Sequence, residues 1–203
     1  MDSAWNVARL VVEPAGQFLP LRPPFLTLLA DPWHKILPWD WDIDTQVSGQ
    51  TLAYMALYLN YTVYKYTATI PLLNRAKGTR RYLLDVNPYA HDRTHGDGMN
   101  VIDARWIDTR NGLYIDITGV SELPFKQRPG VWSCKNEHEY RVRDLFPLRE
   151  GWFEGMKATV PNNYAGILVE EYGHEALVRT EFEHHSWDVA NGSWARKDIK
   201  WQV

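Results

Sequence analysis

The sequence predicts a single α+β domain in which a β-sheet is flanked by helices. The chain has 203 residues and a 45% apolar fraction, which is enough to bury one substantial core. Alternating patterns typical of strands occur in residues 37–47, 100–109 and 113–120, and helical spacing begins at residues 49 and 161. No internal repeat or linker divides the chain, so we expect one folding unit.

The ends of the chain are expected to be less regular than the middle. Residues 1–24 contain four prolines and predict an irregular lead-in, and residues 25–30 are apolar enough for a short helix. We assign the domain to residues 25–187. The remaining residues, 188–203, mix charge, Gly and Trp without a period and predict a loosely held tail that begins near Trp187.

Composition excludes several classes of protein. A net charge of −3 gives no support for nucleic-acid binding through bulk positive charge. The single Cys134 excludes an internal disulfide and a cysteine-based zinc site. No run approaches the roughly 18–20 apolar residues of a membrane span. Ten Trp and eleven Tyr suit either sugar or base stacking or the filling of a core.

An acidic pattern between residues 37 and 47 is the strongest local signal. Asp40, Asp42 and Asp44 recur at every second residue, which in a strand places their carboxylates on one face. Neighbouring carboxylates on that face start roughly 7 Å apart at Cα, close enough to converge on one cation. Three like charges repel one another without a counter-charge, so the pattern favours a metal ion that grips a phosphorylated substrate.

Two other interpretations of the acidic pattern are weaker. A calcium-binding helix–loop–helix is excluded because its loop needs Gly at the sixth position and Glu at the twelfth, where this chain has Thr45 and Thr51. A solvated strand edge that Asp keeps polar remains an alternative. Trp39, Trp41 and Ile43 are unusual side chains for such an edge.

A helix is predicted after the acidic strand. Ser48 suits its N-cap, and the helix should continue into the sixties. One apolar stripe at helical spacing should face the core: Leu52, Met55, Ala56 and Leu59. Three tyrosines on neighbouring positions are expected in the core or lining a groove: Tyr54, Tyr58 and Tyr61. A short strand is then predicted over residues 81–86.

Residues 100–109 and 113–120 are predicted to form a β-hairpin. Asn111-Gly112 is a strong signal for a two-residue type I′ turn. A two-residue loop pairs Ile107 with Asp116 and places Arg105 diagonally to Asp116.

Asp116 interrupts an otherwise apolar strand and therefore needs a partner or a metal. Asp103 and Arg105 share its predicted face. Arg105 is either a structural ion-pair partner of Asp116 or a phosphate ligand, and the residues alone do not separate these roles.

The remaining segments add fewer signals. The loop at 89–98 holds several polar residues, including Arg93, which are more typical of an ordinary loop than of a metal site. His138 is either an acid–base group or a hydrogen-bonded surface residue. Short strands are predicted within 145–160, and a helix opens after Pro161-Asn162 and ends at Gly173.

Several motifs together resemble the LicD/fukutin-type family, which has a nucleotidyltransferase-like fold built on a mixed β-sheet flanked by helices. The matching motifs are Ile-Leu-Pro-Trp-Asp-Trp-Asp-Ile-Asp at 36–44, Tyr-Leu-Leu-Asp-Val-Asn-Pro at 82–88, the stretch 96–110, Gly-Leu-Tyr-Ile-Asp-Ile-Thr-Gly at 112–119, and short runs at 144–148, 153–155 and 171–173. In detail they look most like the fungal branch associated with mannosylphosphate transfer to cell-wall glycans. The resemblance covers roughly residues 35–187.

The resemblance implies a metal-dependent phosphotransferase. Family members move a phosphorylated group from a nucleotide diphosphate donor, here GDP-mannose or a CDP-linked group, to a glycan hydroxyl. By that resemblance Asp42 and Asp44, with Asp40, hold Mg²⁺ or Mn²⁺, and Asp116 completes the metal site. Asp116 or Asp40 is the candidate catalytic base. The candidates for contacts to the substrate and its phosphates are Arg105, Arg93, Asp103 and His138.

One stretch departs from the family pattern. Members carry a Gly-Ser or Gly-Thr pair upstream of the acidic strand, where backbone amides cradle the donor phosphates. This chain has residues 25–33 there, Phe-Leu-Thr-Leu-Leu-Ala-Asp-Pro-Trp, without the glycines. This departure indicates either a divergent member or a chain whose true N-terminus is missing or replaced. Because donor binding could fail without those amides, a non-catalytic relative that regulates or partners an active transferase stays open. A second alternative is a metal-dependent glycosyltransferase, which also uses Asp-x-Asp to hold a sugar nucleotide but transfers a bare sugar.

The compartment is also implied by resemblance. Relatives of the fungal branch are Golgi membrane proteins that face the lumen through an N-terminal anchor. These 203 residues contain no anchor or signal segment. We therefore expect either a fragment of such a protein or a soluble paralogue.

Overall fold

A computed structural model describes residues 11–12, 35–39, 43–70, 75–92, 102–123, 128–135, 138–153 and 156–197. The strands are β1 (Val11–Val12), β2 (Asp44–Ser48), β3 (Val63–Ile70), β4 (Arg75–Val86), β5 (Ala104–Asp108), β6 (Tyr114–Glu122), β7 (Val131–Ser133), β8 (Glu139–Arg141), β9 (Arg149–Phe153), β10 (Met156–Val160), β11 (Glu181–Phe182), β12 (His185–Asp188) and β13 (Ser193–Arg196). The helices are α1 (Gly49–Tyr54), α2 (Val142–Leu145) and α3 (Tyr164–Tyr172), with a π-helical segment at Met55–Leu59 and a 3₁₀ turn at His174–Leu177.

One mixed sheet organises the fold. Its strand order is β1-β2-β6-β5-β4-β3, and β7 and β8 extend it from the end of β6. The β1–β2 and β2–β6 pairs are parallel, whereas β6–β5, β5–β4 and β4–β3 are antiparallel. Strands β9–β10 and β11–β13 form two smaller sheets. The predicted α+β class, a mixed β-sheet flanked by helices, is confirmed.

The sheet carries a hydrophobic core on each face. Because side chains alternate along a strand, Val47 and Ile117 point to one face and Val120 points to the other. On the first, which we call the α1 face, buried side chains pack under α1: Val47, Leu52, Met55, Leu84, Val86, Ala90, Ala104 and Ile117. On the second, the α3 face, the core consists of Leu37, Val120, Tyr140, Leu145, Ile167 and Leu168. The sheet is therefore a central layer between two cores.

The start of α1 follows the prediction, but its continuation differs. The Ser48 hydroxyl accepts a hydrogen bond from the Thr51 backbone N–H at 3.1 Å, so Ser48 is the N-cap. Leu52 and Met55 are buried as expected. The helical region ends at Leu59, and β3 begins at Val63, where the prediction continued the helix. Val63–Ile70 is rich in β-branched and aromatic residues, and its pairing with β4 decides its conformation.

The tyrosines of this region are more exposed than expected for a core. Tyr54, Tyr58 and Tyr61 are 40%, 68% and 69% exposed. The rings of Tyr54 and Tyr58 lie 4.9 Å apart at their centroids, so they contact each other on the surface. The helical spacing of the apolar stripe was correct. Of the two alternatives for the tyrosines, the core was wrong, and the lining of a groove stays a prediction.

The β5–β6 hairpin forms with a longer loop than predicted. Arg105 lies opposite Asp116 and Ile107 opposite Tyr114, so the pairing of Ile107 with Asp116 was wrong by two residues. The Asp108 carboxylate accepts from the Arg110 backbone N–H at 2.9 Å, and Gly112 N–H donates to the Asp108 carbonyl at 2.8 Å. These bonds build a four-residue loop over 109–112. A shift of two residues keeps every side chain on its predicted face.

The C-terminal part contains more structure than the sequence predicted. Strands β9 and β10 lie within 145–160, where short strands were predicted, and α3 begins after its N-cap Asn163 and ends at Gly173 with φ +78°. The expected loosely held tail was wrong for residues 187–196, since these residues contribute to β12 and β13. Trp194 packs edge-on against Trp39 at 4.8 Å and against Trp187 at 5.7 Å. Cross-strand aromatic pairing thus holds this segment in place.

Two further expectations lie largely outside the described residues. These are the irregular lead-in at 1–24, of which only Val11–Val12 is described, and the short helix at 25–30. Within the described part of the chain, none of the helices has the length and apolar character that crossing a bilayer requires.

The docking of the C-terminal strands can be tested with Trp194→Ala. We expect the free energy of unfolding to fall by about 2 kcal/mol, because a half-buried ring that contacts Trp39 and Trp187 is lost. Urea denaturation followed by circular dichroism measures this change. Trp152→Ala is the matched control, since Trp152 is 55% exposed and should cost less than about 0.5 kcal/mol. Equal effects would contradict the docked arrangement.

Candidate functional site

The parallel pairing of β2 with β6 brings two acidic side chains together. The register places Asp44 opposite Asp116. The Asp116 backbone N–H donates to the Ile43 carbonyl at 2.9 Å, and the Thr45 hydroxyl donates to the Asp116 carbonyl at 2.9 Å. Neighbouring strands lie about 4.8 Å apart, so both carboxylates rise from the α3 face within reach of one cation.

Two more charged residues extend this pair across the sheet. Arg105 on β5 lies opposite Asp116, and Asp85 on β4 lies opposite Arg105. The four side chains share one face and form a line across four adjacent strands, Asp85–Arg105–Asp116–Asp44, which we call the charged row. Three carboxylates and one guanidinium leave this row with an excess of negative charge.

Arg105 is held by two different contacts. Its Nε donates to Asp116 Oδ1 at 2.7 Å, and its guanidinium carbon lies 4.3 Å from the centre of the Tyr114 ring. The hydrogen bond to Asp116, together with the nearby Asp85, raises the pKa of Arg105 above its ordinary value. The arginine side chain is 43% exposed, whereas the Asp116 side chain is 8% exposed. A buried carboxylate is therefore neutralised by a cation that still reaches solvent.

The charged row fits part of a divalent-metal site. Carboxylate oxygens are the ligands that Mg²⁺ and Mn²⁺ prefer, and Asp44 and Asp116 lie side by side. Among the described residues no cluster of three or more His, Cys, Asp or Glu side chains could hold a metal. Asp40 and Asp42, the other two predicted ligands, lie outside the described residues. Two carboxylates of the predicted set of four are thus positioned by the sheet.

Asp103 has a different environment from the row. Its Oδ2 accepts from the Gly119 backbone N–H at 2.6 Å, and its Oδ1 lies 2.9 Å from Lys135 Nζ. Lys135 also donates to the Tyr89 carbonyl at 2.8 Å. Burial raises the pKa of Asp103, and this effect exceeds the lowering by Gly119 and Lys135. This arrangement favours a structural role for Asp103 over contact with a substrate.

The Asp103–Lys135 pair lines a cavity of about 370 Å³. The cavity lies between the start of α1 and the end of β6, where Gly49, Ser121 and Glu122 contribute to its wall. Its lining includes none of the four residues of the charged row. The candidate site is therefore on the sheet surface and separate from this cavity.

Among the described residues, the remaining predicted substrate contact is His138, and its contacts lie outside the charged row. His138 Nδ1 lies 3.7 Å from Glu171 Oε1 on α3, and its backbone carbonyl accepts from the Cys134 N–H at 3.2 Å. These contacts favour the interpretation of His138 as a hydrogen-bonded residue. Arg93 lies outside the described residues.

Asp85 is the residue of the row that sequence reasoning missed. It occupies the same kind of position as Asp116, a single carboxylate within an apolar strand segment, Leu83-Leu84-Asp85-Val86. A lone carboxylate in an apolar strand needs a partner, so the sequence alone could have identified Asp85 as a candidate site residue. Its partner, however, depends on the pairing of β4 with β5, which no local pattern predicts.

The mixed sheet and its paired carboxylates define a nucleotidyltransferase-like domain. The model of the family described as LicD/FKTN/FKRP, nucleotidyltransferase domain matches residues 32–163. The chain belongs to this family.

Two relatives from Saccharomyces cerevisiae are similar to parts of the chain. Mannosyltransferase regulator 4 is 40% identical over 133 residues, which are 65% of this chain and 10% of that protein. Mannosyltransferase regulator 14 is 42% identical over 84 residues, which are 41% of this chain and 8% of that protein. The chain thus spans about a tenth or less of the length of these relatives.

The buried Asp103–Lys135 pair can be tested with a double-mutant cycle. Asp103→Asn leaves Lys135 buried without its counter-charge and should lower the free energy of unfolding by about 3 kcal/mol. The double variant Asp103→Asn/Lys135→Met should cost clearly less than the sum of the two single changes. Chemical denaturation of the four proteins measures the coupling. Additive losses would show that the two side chains do not interact.

The raised pKa of Asp103 also predicts a pH dependence. Because the folded protein binds this proton more tightly than the unfolded chain does, the resulting stabilisation is complete below the ordinary pKa of aspartate. It is lost as the pH rises through the raised pKa. Denaturation curves measured from acidic to neutral pH should show this loss in the wild-type protein and lack it in Asp103→Asn. An identical pH profile for both proteins would contradict the burial effect.

Proposed function

We propose that this domain takes part in glycan modification as a metal-dependent phosphotransferase. It would move a phosphosugar, mannose phosphate, from a nucleotide-sugar donor such as GDP-mannose to a glycan hydroxyl. Family membership and the names of the two yeast relatives support this assignment. The observation that carries it is the register of Asp44 opposite Asp116 at the end of the acidic pattern.

The proposed metal ligands are Asp44 and Asp116, with Asp42 and Asp40 from the residues that precede β2. A bound Mg²⁺ or Mn²⁺ would offset the negative charge of the donor phosphates and of the leaving nucleotide. The sheet contributes rigidity, because Asp44 and Asp116 are held by backbone bonds between adjacent strands. Fixed carboxylates of this kind keep the donor diphosphate in one orientation for attack.

Arg105 is the proposed phosphate ligand of the described residues. In the structure its Nε bonds to Asp116, and its side chain is 43% exposed. The two terminal nitrogens can therefore donate to phosphate oxygens at the edge of the charged row. The acceptor hydroxyl must lose a proton, and the candidate bases are Asp116 and Asp40. The one of these two carboxylates that the metal does not occupy would accept this proton.

A non-catalytic regulatory role is the second candidate. It is favoured by the names of both relatives, which describe regulators of a mannosyltransferase. In that case the fold would bind a nucleotide sugar or a partner transferase without turnover. Analysis of the product separates the proposals, since a phosphotransferase forms a phosphodiester link, an Asp-x-Asp glycosyltransferase adds a bare sugar, and a regulator forms neither. A Golgi location follows from the same proposal of glycan modification.

The metal ligands can be tested with Asp44→Asn and Asp116→Asn. Each should weaken Mn²⁺ binding in calorimetry by at least about 100-fold and abolish transfer of mannose phosphate from GDP-mannose. The wild-type protein, or the longest protein that contains this chain, supplies the reference. Undiminished binding and transfer in both variants would overturn the proposed metal site.

Asp108→Asn is the matched control for these variants. Asp108 is a similarly buried carboxylate of the same sheet, paired with Arg80 Nη1 at 3.0 Å on the opposite face. Its replacement removes an arginine–carboxylate pair without touching the charged row. Mn²⁺ affinity should therefore stay at the wild-type value. A loss equal to that of Asp116→Asn would point to a general effect on folding.

A further inference from the structure

Arg105 lies between two carboxylates of adjacent strands. Asp116 is its register partner on β6, and Asp85 is its register partner on β4. Directly opposed residues in antiparallel strands have Cα atoms about 4.5–5.5 Å apart, so the guanidinium reaches either side chain. In the structure the hydrogen bond goes to Asp116, and Asp85 acts on Arg105 through its charge.

The contact between Arg105 and Asp116 is a single hydrogen bond. It uses Nε and Oδ1, whereas the strongest arginine–carboxylate pairs use two parallel bonds. The Arg105 side chain is 43% exposed, and an incoming cation would replace its charge at the buried Asp116, so the exchange leaves no buried carboxylate without a counter-charge. The ring of Tyr114, 4.3 Å below the guanidinium carbon, supports the group independently of Asp116. Arg105 can therefore stay in contact with the Tyr114 ring while its guanidinium turns towards Asp85.

The Asp116 carboxylate has two candidate partners. Arg105 bonds to its Oδ1 in the structure, and a divalent cation shared with Asp44 would draw on the same carboxylate. A guanidinium and a divalent ion at one carboxylate repel each other, and the repulsion is strong because Asp116 is 6% exposed. Binding of the cation therefore weakens the bond between Asp116 and Arg105.

We propose that Arg105 is a resident counter-ion that releases Asp116 when a divalent cation binds and then pairs with Asp85 and with the donor diphosphate. Asp85 is the positioning residue for this exchange, because it provides the second carboxylate that Arg105 needs. The same arginine thus neutralises Asp116 before the cation binds and binds phosphate once the cation is in place. The inference rests on the cation site of the proposed function.

The proposal predicts opposite effects of one substitution on two ligands. Arg105→Gln removes the competitor at Asp116, so the affinity for Mn²⁺ alone should rise by about fivefold or more. The same variant lacks a phosphate ligand, so the affinity for GDP in the presence of saturating Mn²⁺ should fall by a similar factor. A merely structural role of Arg105 would weaken both interactions. Isothermal calorimetry measures both affinities, and circular dichroism confirms the fold of each variant.

Asp85 can be separated from a general charge effect by a double-mutant cycle. Asp85→Asn should weaken Mn²⁺ binding about fivefold in the wild-type protein, because Arg105 loses its alternative partner. In the Arg105→Gln background the same change should have little effect. A long-range charge effect would instead be equal in both backgrounds, and that result would overturn the role of Asp85.

Arg80→Gln is the matched control for Arg105→Gln. Arg80 and Asp108 have side-chain exposures of 48% and 9%, close to the 43% and 8% of Arg105 and Asp116. The register partner of Arg80 on β3 is Tyr66, which is not a carboxylate, and the pair lies on the opposite face of the sheet. Its Mn²⁺ affinity should equal that of the wild-type protein.

The possible failures can be told apart. If Asp44→Asn abolishes Mn²⁺ binding but Arg105→Gln leaves it unchanged or weaker, the exchange is overturned and the cation site stands. If neither the wild-type protein nor Arg105→Gln binds Mn²⁺, both the cation site and the exchange are overturned. If only Arg105→Gln binds Mn²⁺, Arg105 blocks the cation instead of releasing Asp116 to it, and the exchange is overturned.

Discussion

The parallel pairing of β2 with β6 is the constraint on which the rest of the site depends. Its register sets Asp44 beside Asp116, and the bonds of the Asp116 backbone to Ile43 and Thr45 prevent a slip. A slip of one residue would move the carboxylate of Asp116 to the opposite face, away from Asp44. The packing of apolar side chains on both faces helps to fix this register, so the positions of the two carboxylates depend on that packing.

The hydrophobic cores and the charged row occupy different parts of the sheet. Its α1 face is covered by a continuous core, and the end of the α3 face near Val120 is covered by α3. The charged row lies on the α3 face at the start of β2 and β6, where Arg105 still reaches solvent. The buried Asp116 is tolerated there because the Arg105 guanidinium neutralises it. In the proposed exchange, the same pairing of opposite charges would regulate the entry of a cation.

Periodicity predicted the parts of the fold that local chemistry controls. The Ser48 N-cap, the β5–β6 hairpin and the Gly173 end of α3 each follow from side chains close in sequence. Elements stabilised by distant partners were missed or placed wrongly, as with β3 and the strand that carries Trp194. The hairpin loop was two residues too short in the prediction, because hydrogen bonds of Asp108 compete with the Asn-Gly turn signal.

The sequence by itself determined the family resemblance, the acidic pattern before β2 and the need of Asp116 for a partner. These conclusions rest on alternation and on the cost of burying a lone carboxylate, which are properties of short segments. Only the tertiary structure decided that Arg105 stands directly opposite Asp116 and that Asp85 stands on its other side. Strand register is set by packing across the whole sheet, so no single segment of this chain contains that information.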